Sequence, residues 1–193
     1  MTGTKVTLAA VVRIRRLNAE DRDAVQQLHQ RLNEHDTYLR FFALRPTHLR
    51  ELAAALCLQD AGHCALGAFI DGSLVGVANY IALTQVAGTA PVEVEVEFAI
   101  VVDHDHQMHG IGTMLLTRLV EEARQHGIVH LTAEMLTQNA RVLRLIREQG
   151  WSGGLRRDGS QIRLDLHLNG DPDIADGERH RTPPEGIHLP HRP

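Results

Sequence analysis

Cysteine is nearly absent: the 193 residues hold only Cys57 and Cys64, too few for a disulfide framework or a cysteine zinc site. The pair reads as two small buried apolar residues in a reducing compartment. No apolar run reaches the roughly 18 residues of a membrane span. The short run Val6 to Val12 after Lys5 is cut by Arg13, Arg15 and Arg16 before it could form a signal core. A cytoplasmic location and no membrane partner are therefore expected. Positive charge is not in excess either. Lysine and arginine number 20 against 24 aspartates and glutamates, a formal net charge of −4, which argues against nucleic acid as a partner. Thirteen histidines titrate near pH 6.5, so mild acid makes the net charge positive.

What is present suits a folded domain: 43% hydrophobic and 23% charged residues, close to globular averages. The length fits one domain. We expect an N-terminal extension over 1–10, a domain over 11–168 and a disordered tail over 169–193. That tail holds five of the seven prolines and too few apolar residues to offset its ordering entropy.

Within the domain, apolar and basic residues alternate from Val11 to Leu17, predicting a strand. Asn18 can cap a helix through Leu32, with Val25, Leu28 and Leu32 at helical spacing. The segment from His35 to Pro46 carries the aromatic-rich run Tyr38-Leu39-Arg40-Phe41-Phe42, holding three of the seven aromatics. Thr47 is the expected cap of a second helix through Leu56. Strands over Cys64 to Ile70 and Leu74 to Leu83 flank the turn pair Asp71-Gly72. Next, Val92 to Val102 alternates valine or phenylalanine with Glu93, Glu95 and Glu97, then turns wholly apolar, which suggests that its second half is covered on both faces. A helix from Gly110 to His126, a strand from Val129 to Leu136, a helix from Asn139 to Gln149 and a hairpin over Trp151 to Leu168 complete the order β-α-α-β-β-β-α-β-α-β-β.

The most informative segment is Gln107-Met108-His109-Gly110-Ile111-Gly112-Thr113, between a buried strand and a helix N-terminus. Glycines there let successive backbone N–H groups converge, and the helix dipole adds positive potential, so the loop suits an anion such as phosphate. It is not a Walker A loop, since no Lys-Ser/Thr follows. Nor is it the dinucleotide fingerprint, since Leu115 stands at the third glycine position.

This Gln-x-x-Gly-x-Gly loop after the fourth strand, Asn139 at the helix after the fifth strand, and Gly150-Trp151 closing that helix together resemble the GNAT acetyltransferase superfamily over roughly 11–168. The resemblance implies an α/β (α+β) GNAT fold, a mixed and mostly antiparallel sheet of about seven strands flanked by four helices, with strands 4 and 5 splayed. It implies acetyl-CoA as co-substrate. The pyrophosphate would lie on Gln107, Met108, His109, Gly110, Ile111, Gly112 and Thr113, mostly on backbone amides. Ile100, Val101 and Val102 would pair with pantetheine in the manner of an added strand. Asn139 would reach the cofactor, or simply cap its helix.

Acetylating an amine also requires a free lone pair. A lysine-like amine with pKa about 10.4 is only about one part in 2,500 neutral at pH 7, a penalty of roughly 4.6 kcal/mol. The stretch Glu97 to Val102 is similar to strand 4 of bacterial Pat-type protein lysine acetyltransferases, in which the glutamate at this place is the general base. Glu97, with Glu95 beside it, is thus the catalytic candidate, although alternation alone also describes a solvated glutamate face. Three carboxylates on one face would attract a cationic acceptor. The connection carrying Tyr38 and Arg40 resembles one wall of the acceptor site in Pat-type domains. Ile146 stands where many GNAT enzymes carry a tyrosine that protonates the leaving thiolate, a residue Pat-type domains also commonly lack. His104, Asp105, His106 and His109 read as residues of the phosphate loop, and no metal is expected.

The sequence thus points to transfer of acetyl from acetyl-CoA to a primary amine, with a protein lysine side chain favoured. A small-molecule amine and a non-catalytic CoA-binding sensor remain open, as does a homodimer, which is common in this superfamily.

Overall fold

A computed structural model of the chain describes residues 11–44, 46–58, 60, 62–83, 95–149, 151 and 153–168. The extension 1–10, the tail 169–193, Glu93 and the Glu95 side chain lie outside the described residues. In chain order the elements are β1 (Arg13–Arg16), α1 (Arg22–Gln30), α2 (Glu34–Phe41), α3 (Leu49–Leu56), β2 (His63–Ile70), β3 (Ser73–Leu83), β4 (Glu95–Val102), α4 (Ile111–Gln125), β5 (His130–Leu136), α5 (Ala140–Glu148), β6 (Gly153–Asp158) and β7 (Gln161–His167).

Seven strands form one sheet in the order β1-β2-β3-β4-β5-β7-β6. Every neighbouring pair is antiparallel except β4 and β5, which run parallel. The β2–β3 turn places Asp71 at φ 48 and Gly72 at φ 81, the left-handed pair that a two-residue hairpin favours. Apolar residues lie on both sheet faces. One core gathers Leu115, Leu116 and Leu119 of α4 with Leu131 and Leu166; the other sets Val25 and Leu28 of α1 and Leu56 of α3 against Val77 and Val101.

Among the described residues five helices form where the sequence suggested four. The first expected helix ends at Gln30, and Asn33 caps a separate α2: its Oδ1 accepts from Asp36 N at 2.7 Å. Glu34 and Asp36 add negative charge to that first turn. Phe42, at φ 54, ends the helix. The aromatic run is therefore helical. Thr47 does not cap α3, whose N-cap is His48 with no side-chain capping bond. At the start of α1, Asn18 and Asp21 form a reciprocal capping box around a short 3₁₀ turn.

Two buried charges tie the layers. Asp21 pairs with Arg15 at 2.7 Å. Burial opposes ionisation of Glu122, yet Arg16 and Arg118 together hold its carboxyl below the ordinary range. Burial raises the thiol pKa of Cys57 and pushes that of Cys64 up to about 11, which keeps both protonated and unreactive, as their free, buried state suggests. No helix among the described residues is long and apolar enough to cross a membrane.

His29 gives the fold an acid-sensitive point. It is buried on α1, with Nδ1 2.8 Å from Val25 O and its ring 5.7 Å from that of Phe41. Burial lowers its pKa to about 4, the Val25 carbonyl opposes that shift and the Arg40 charge adds to it. An unfolded histidine titrates near 6.5, so the unfolded state binds the extra proton first. Stability from this group is complete above about pH 6.5 and is lost as pH falls toward 4. Denaturant unfolding should show about 2–3 kcal/mol lost through His29 between pH 7 and 4.5. His29→Leu should lack that component, and identical acid limbs in the two proteins would contradict the assignment.

Candidate active site

The site forms where β4 and β5 part. Their ladder has one registered pair, Glu97 with Thr132, and Thr132 Oγ1 lies 3.5 Å from Val96 O. Beyond that point β4 runs on to Val102 with β3 on one side and no registered β5 partner on the other. Its free edge can accept an added strand.

A cavity of about 620 Å³ opens beside this edge, lined by Ile100, Val101 and Val102, by the loop after β4, and by the start of α5. Such a volume suits a sizeable ligand. Within the loop Met108 and Gly110 adopt positive φ, 64° and 79°. The first helical bond of α4 runs from Met114 N to Gly110 O at 3.0 Å, so the N–H groups of Ile111, Gly112 and Thr113 point out of the helix end without intrahelical acceptors. A Cβ at Gly112 would come 3.1 Å from Leu145 and 3.8 Å from Ile100, narrowing the floor of the cavity. Arg40, Arg141 and Arg144 line it against Asp36 and Glu148, leaving it positive in balance. These features fit a phosphate-bearing ligand lying along a strand edge.

The loop is held by a network centred on Asp36, which sequence reasoning passed over. Asp36, 6% exposed, accepts from Asn33 Nδ2, His104 Nδ1 and Gln107 Nε2, each at 3.0 Å, and Arg141 Nη1 lies 3.7 Å away. Gln107 Nε2 also donates to Val102 O at 3.0 Å, and its Oε1 accepts from Arg141. Gln107 thus spends its side chain on bracing α2, β4 and α5 together. The one available signal for Asp36 was its place three residues after Asn33, at the N-terminus of a helix not anticipated there.

The other candidates distribute unevenly. Met108, Gly110, Gly112 and Thr113 line the cavity, whereas Ile111 is buried in the core and contributes only its backbone, and His109 lies away from the lining. Asn139 occupies the N-cap of α5 but makes no capping bond; its side chain is left for the cavities, both of which it lines. Tyr38 lines neither. Ile146 is buried in the core.

A second, smaller cavity of about 80 Å³ lies further into the cleft between β4 and β5, and Glu97 lines it with Phe42, Ala133 and Glu134. It shares Leu39, Arg40, Ile100, Asn139 and Val142 with the larger one. Glu97 is half-buried. Arg40 feels its charge: burial lowers the guanidinium pKa and Glu97 works in the opposite sense. Arg40 Nε is buried without a hydrogen-bond partner.

A parallel pair that splays beside a helix-terminal anion cradle is the arrangement to which the sequence comparison speaks. The model of the acetyltransferase (GNAT) family matches residues 22–151. The chain belongs to that family. It is accordingly an N-acetyltransferase with acetyl-CoA as co-substrate. Solved structures agree on the fold. The GNAT domain of Streptomyces lividans Pat is 23% identical, with a TM-score of 0.70 over 82% of this chain and 96% of that one. A putative acetyltransferase from Salmonella typhimurium, solved with its cofactor acetyl-CoA, is 22% identical, with a TM-score of 0.66 over 85% of this chain and 99% of that one. The ribosomal-protein-S18-alanine N-acetyltransferase of Escherichia coli is 19% identical, with a TM-score of 0.62 over 86% of this chain and 99% of that one.

Proposed function

We propose that this GNAT domain transfers acetyl directly to a cationic primary amine, with a protein lysine side chain as the favoured acceptor and Glu97 as general base. The observation that carries this reading is the pair of adjoining cavities, with an anion cradle in one and a half-buried carboxylate in the other. Acetyl-CoA supplies the thioester when bound. The N–H groups at the start of α4 hold its pyrophosphate, and the free edge of β4 at Ile100, Val101 and Val102 orients its pantetheine arm. Asn139 orients the arm from the α5 side.

Glu97 first attracts the ammonium group of the acceptor, then takes its proton, directly or through one water, as the nitrogen attacks the thioester carbon. The nitrogen–carbon bond forms, the carbon–sulfur bond breaks, and sulfur leaves with the electron pair. Ile146 has no proton to give, so the second proton of the newly acylated nitrogen passes through water to the thiolate. Glu95, two residues before Glu97 in the sequence, adds negative charge for the acceptor's approach. The likeness of the β4 sequence to Pat-type domains favours a protein lysine.

Arg40 supports a second reading. Its Nε is buried without a hydrogen-bond partner beside both cavities, and a cation placed there favours an acceptor bearing an anionic group close to its amine, hence a small amino acid rather than a protein. Thiol release from acetyl-CoA across lysine peptides, peptides with a free N-terminus and free amino acids separates the two. Lysine peptides should be turned over fastest. Activity confined to free amino acids, and abolished in Arg40→Met, would overturn the protein-lysine assignment.

A further inference from the structure

A group of metal-ligating side chains lies outside the cleft. On the sheet face opposite α4, His130 of β5 stands directly across the ladder from His167 of β7, and Asp165 is paired with the neighbouring Thr132. One ligand atom from each of His130, Asp165 and His167 falls within 4.8 Å of the other two. The two imidazoles meet edge to face with ring centroids 4.5 Å apart. His130 Nδ1 lies 3.7 Å from Asp165 Oδ1, beyond hydrogen-bond reach, and that oxygen is buried with no hydrogen-bond partner. The Asp165 side chain as a whole is half-exposed, so this one buried oxygen without a donor lies at a site open to an ion from solvent.

We infer that His130, Asp165 and His167 form a binding site for a divalent transition-metal ion of the zinc class. Two imidazoles and one carboxylate are a ligand set that zinc accepts, with water in the remaining position. Bond lengths of about 2.0–2.2 Å place tetrahedral ligands about 3.4 Å apart. Closing from the present spacing needs only side-chain rotation, because the three backbones are already held by the β5–β7 ladder. The ion gives Asp165 Oδ1 its missing partner and clamps the two strands. Glu97, Thr132 and Asp165 occupy one row across β4, β5 and β7, so the site stands about 10 Å from Glu97. It takes no part in proton transfer, and its role is structural.

Zinc titration of the chelator-treated full chain by calorimetry tests this, with cobalt(II) absorption reporting the ligand geometry. One ion per chain at micromolar affinity is expected. His167→Gln and Asp165→Asn, both at an exposed sheet face, should each weaken binding by about tenfold or more while circular dichroism stays native. A variant with His180, His188 and His191 all changed to glutamine should bind as wild type. No saturable binding, wild-type affinity in both His167→Gln and Asp165→Asn, or binding that vanishes with the three tail histidines would each overturn the assignment.

Discussion

Glu97→Gln is expected to lower turnover on an amine acceptor by roughly 10²–10⁴-fold at neutral pH, the usual range for losing a positioned general base. Glutamine has nearly the same shape, and Glu97 is half-buried at the cleft rather than packed in either core, so folding should be unaffected. Acetyl-CoA binding should also persist, because the anion cradle and the β4 edge do not use this side chain. The deficit should shrink as pH rises, since each unit raises the free amine about tenfold until its pKa near 10.4 is approached. Rates of thiol release from pH 6 to 10, with calorimetric binding beside them, read both effects. Equal turnover of variant and wild type at every pH would remove Glu97 from the mechanism.

Asp36→Ala should produce the second large effect, this time on acetyl-CoA. Asp36 makes no bond to substrate in this account; it is a positioning residue. Its loss leaves Asn33, His104 and Gln107 without a shared acceptor and removes the carboxylate beside Arg141, which keeps its bond to Gln107, at a cost of about 1–3 kcal/mol for an unsatisfied buried network. Gln107 keeps its bond to Val102 O, so the loop loosens without collapsing. The KM for acetyl-CoA should rise by about 10–100-fold, while kcat at saturation stays within a few-fold of wild type. Asp36→Asn should not rescue, because its amide group turns a donor toward three donors. Unchanged KM in a natively folded Asp36→Ala protein would show that the loop holds its shape without the hub.

Much of this arrangement was legible in the residues, and where it was not, the reason is physical. Alternation and turn pairs predicted the strands because a half-exposed sheet imposes period two on its sequence. The anion cradle was legible because glycine at a strand-to-helix junction serves few other purposes. The break between α1 and α2 was missed although Asn33 and its acidic first turn marked it. Phe41 and Phe42 stand three and four residues after Tyr38, a helical spacing over too short a run to distinguish from a connecting loop. Asp36 escaped notice for a different reason: its partners His104, Gln107 and Arg141 come from distant parts of the chain, and only the closed fold brings them to one carboxylate. The cluster of His130, Asp165 and His167 depends likewise on cross-strand register, which no local pattern encodes.

The measurement that tests the central claim most directly follows thiol release and acetyl-CoA binding on the same full-length protein, with and without an amine acceptor. The account predicts saturable binding of one acetyl-CoA per chain and thiol release that depends on the amine. Tight binding without release from any amine would contradict catalysis and leave a CoA-binding sensor. Absence of binding would contradict the assignment of the loop from Gln107 to Thr113 as its cradle.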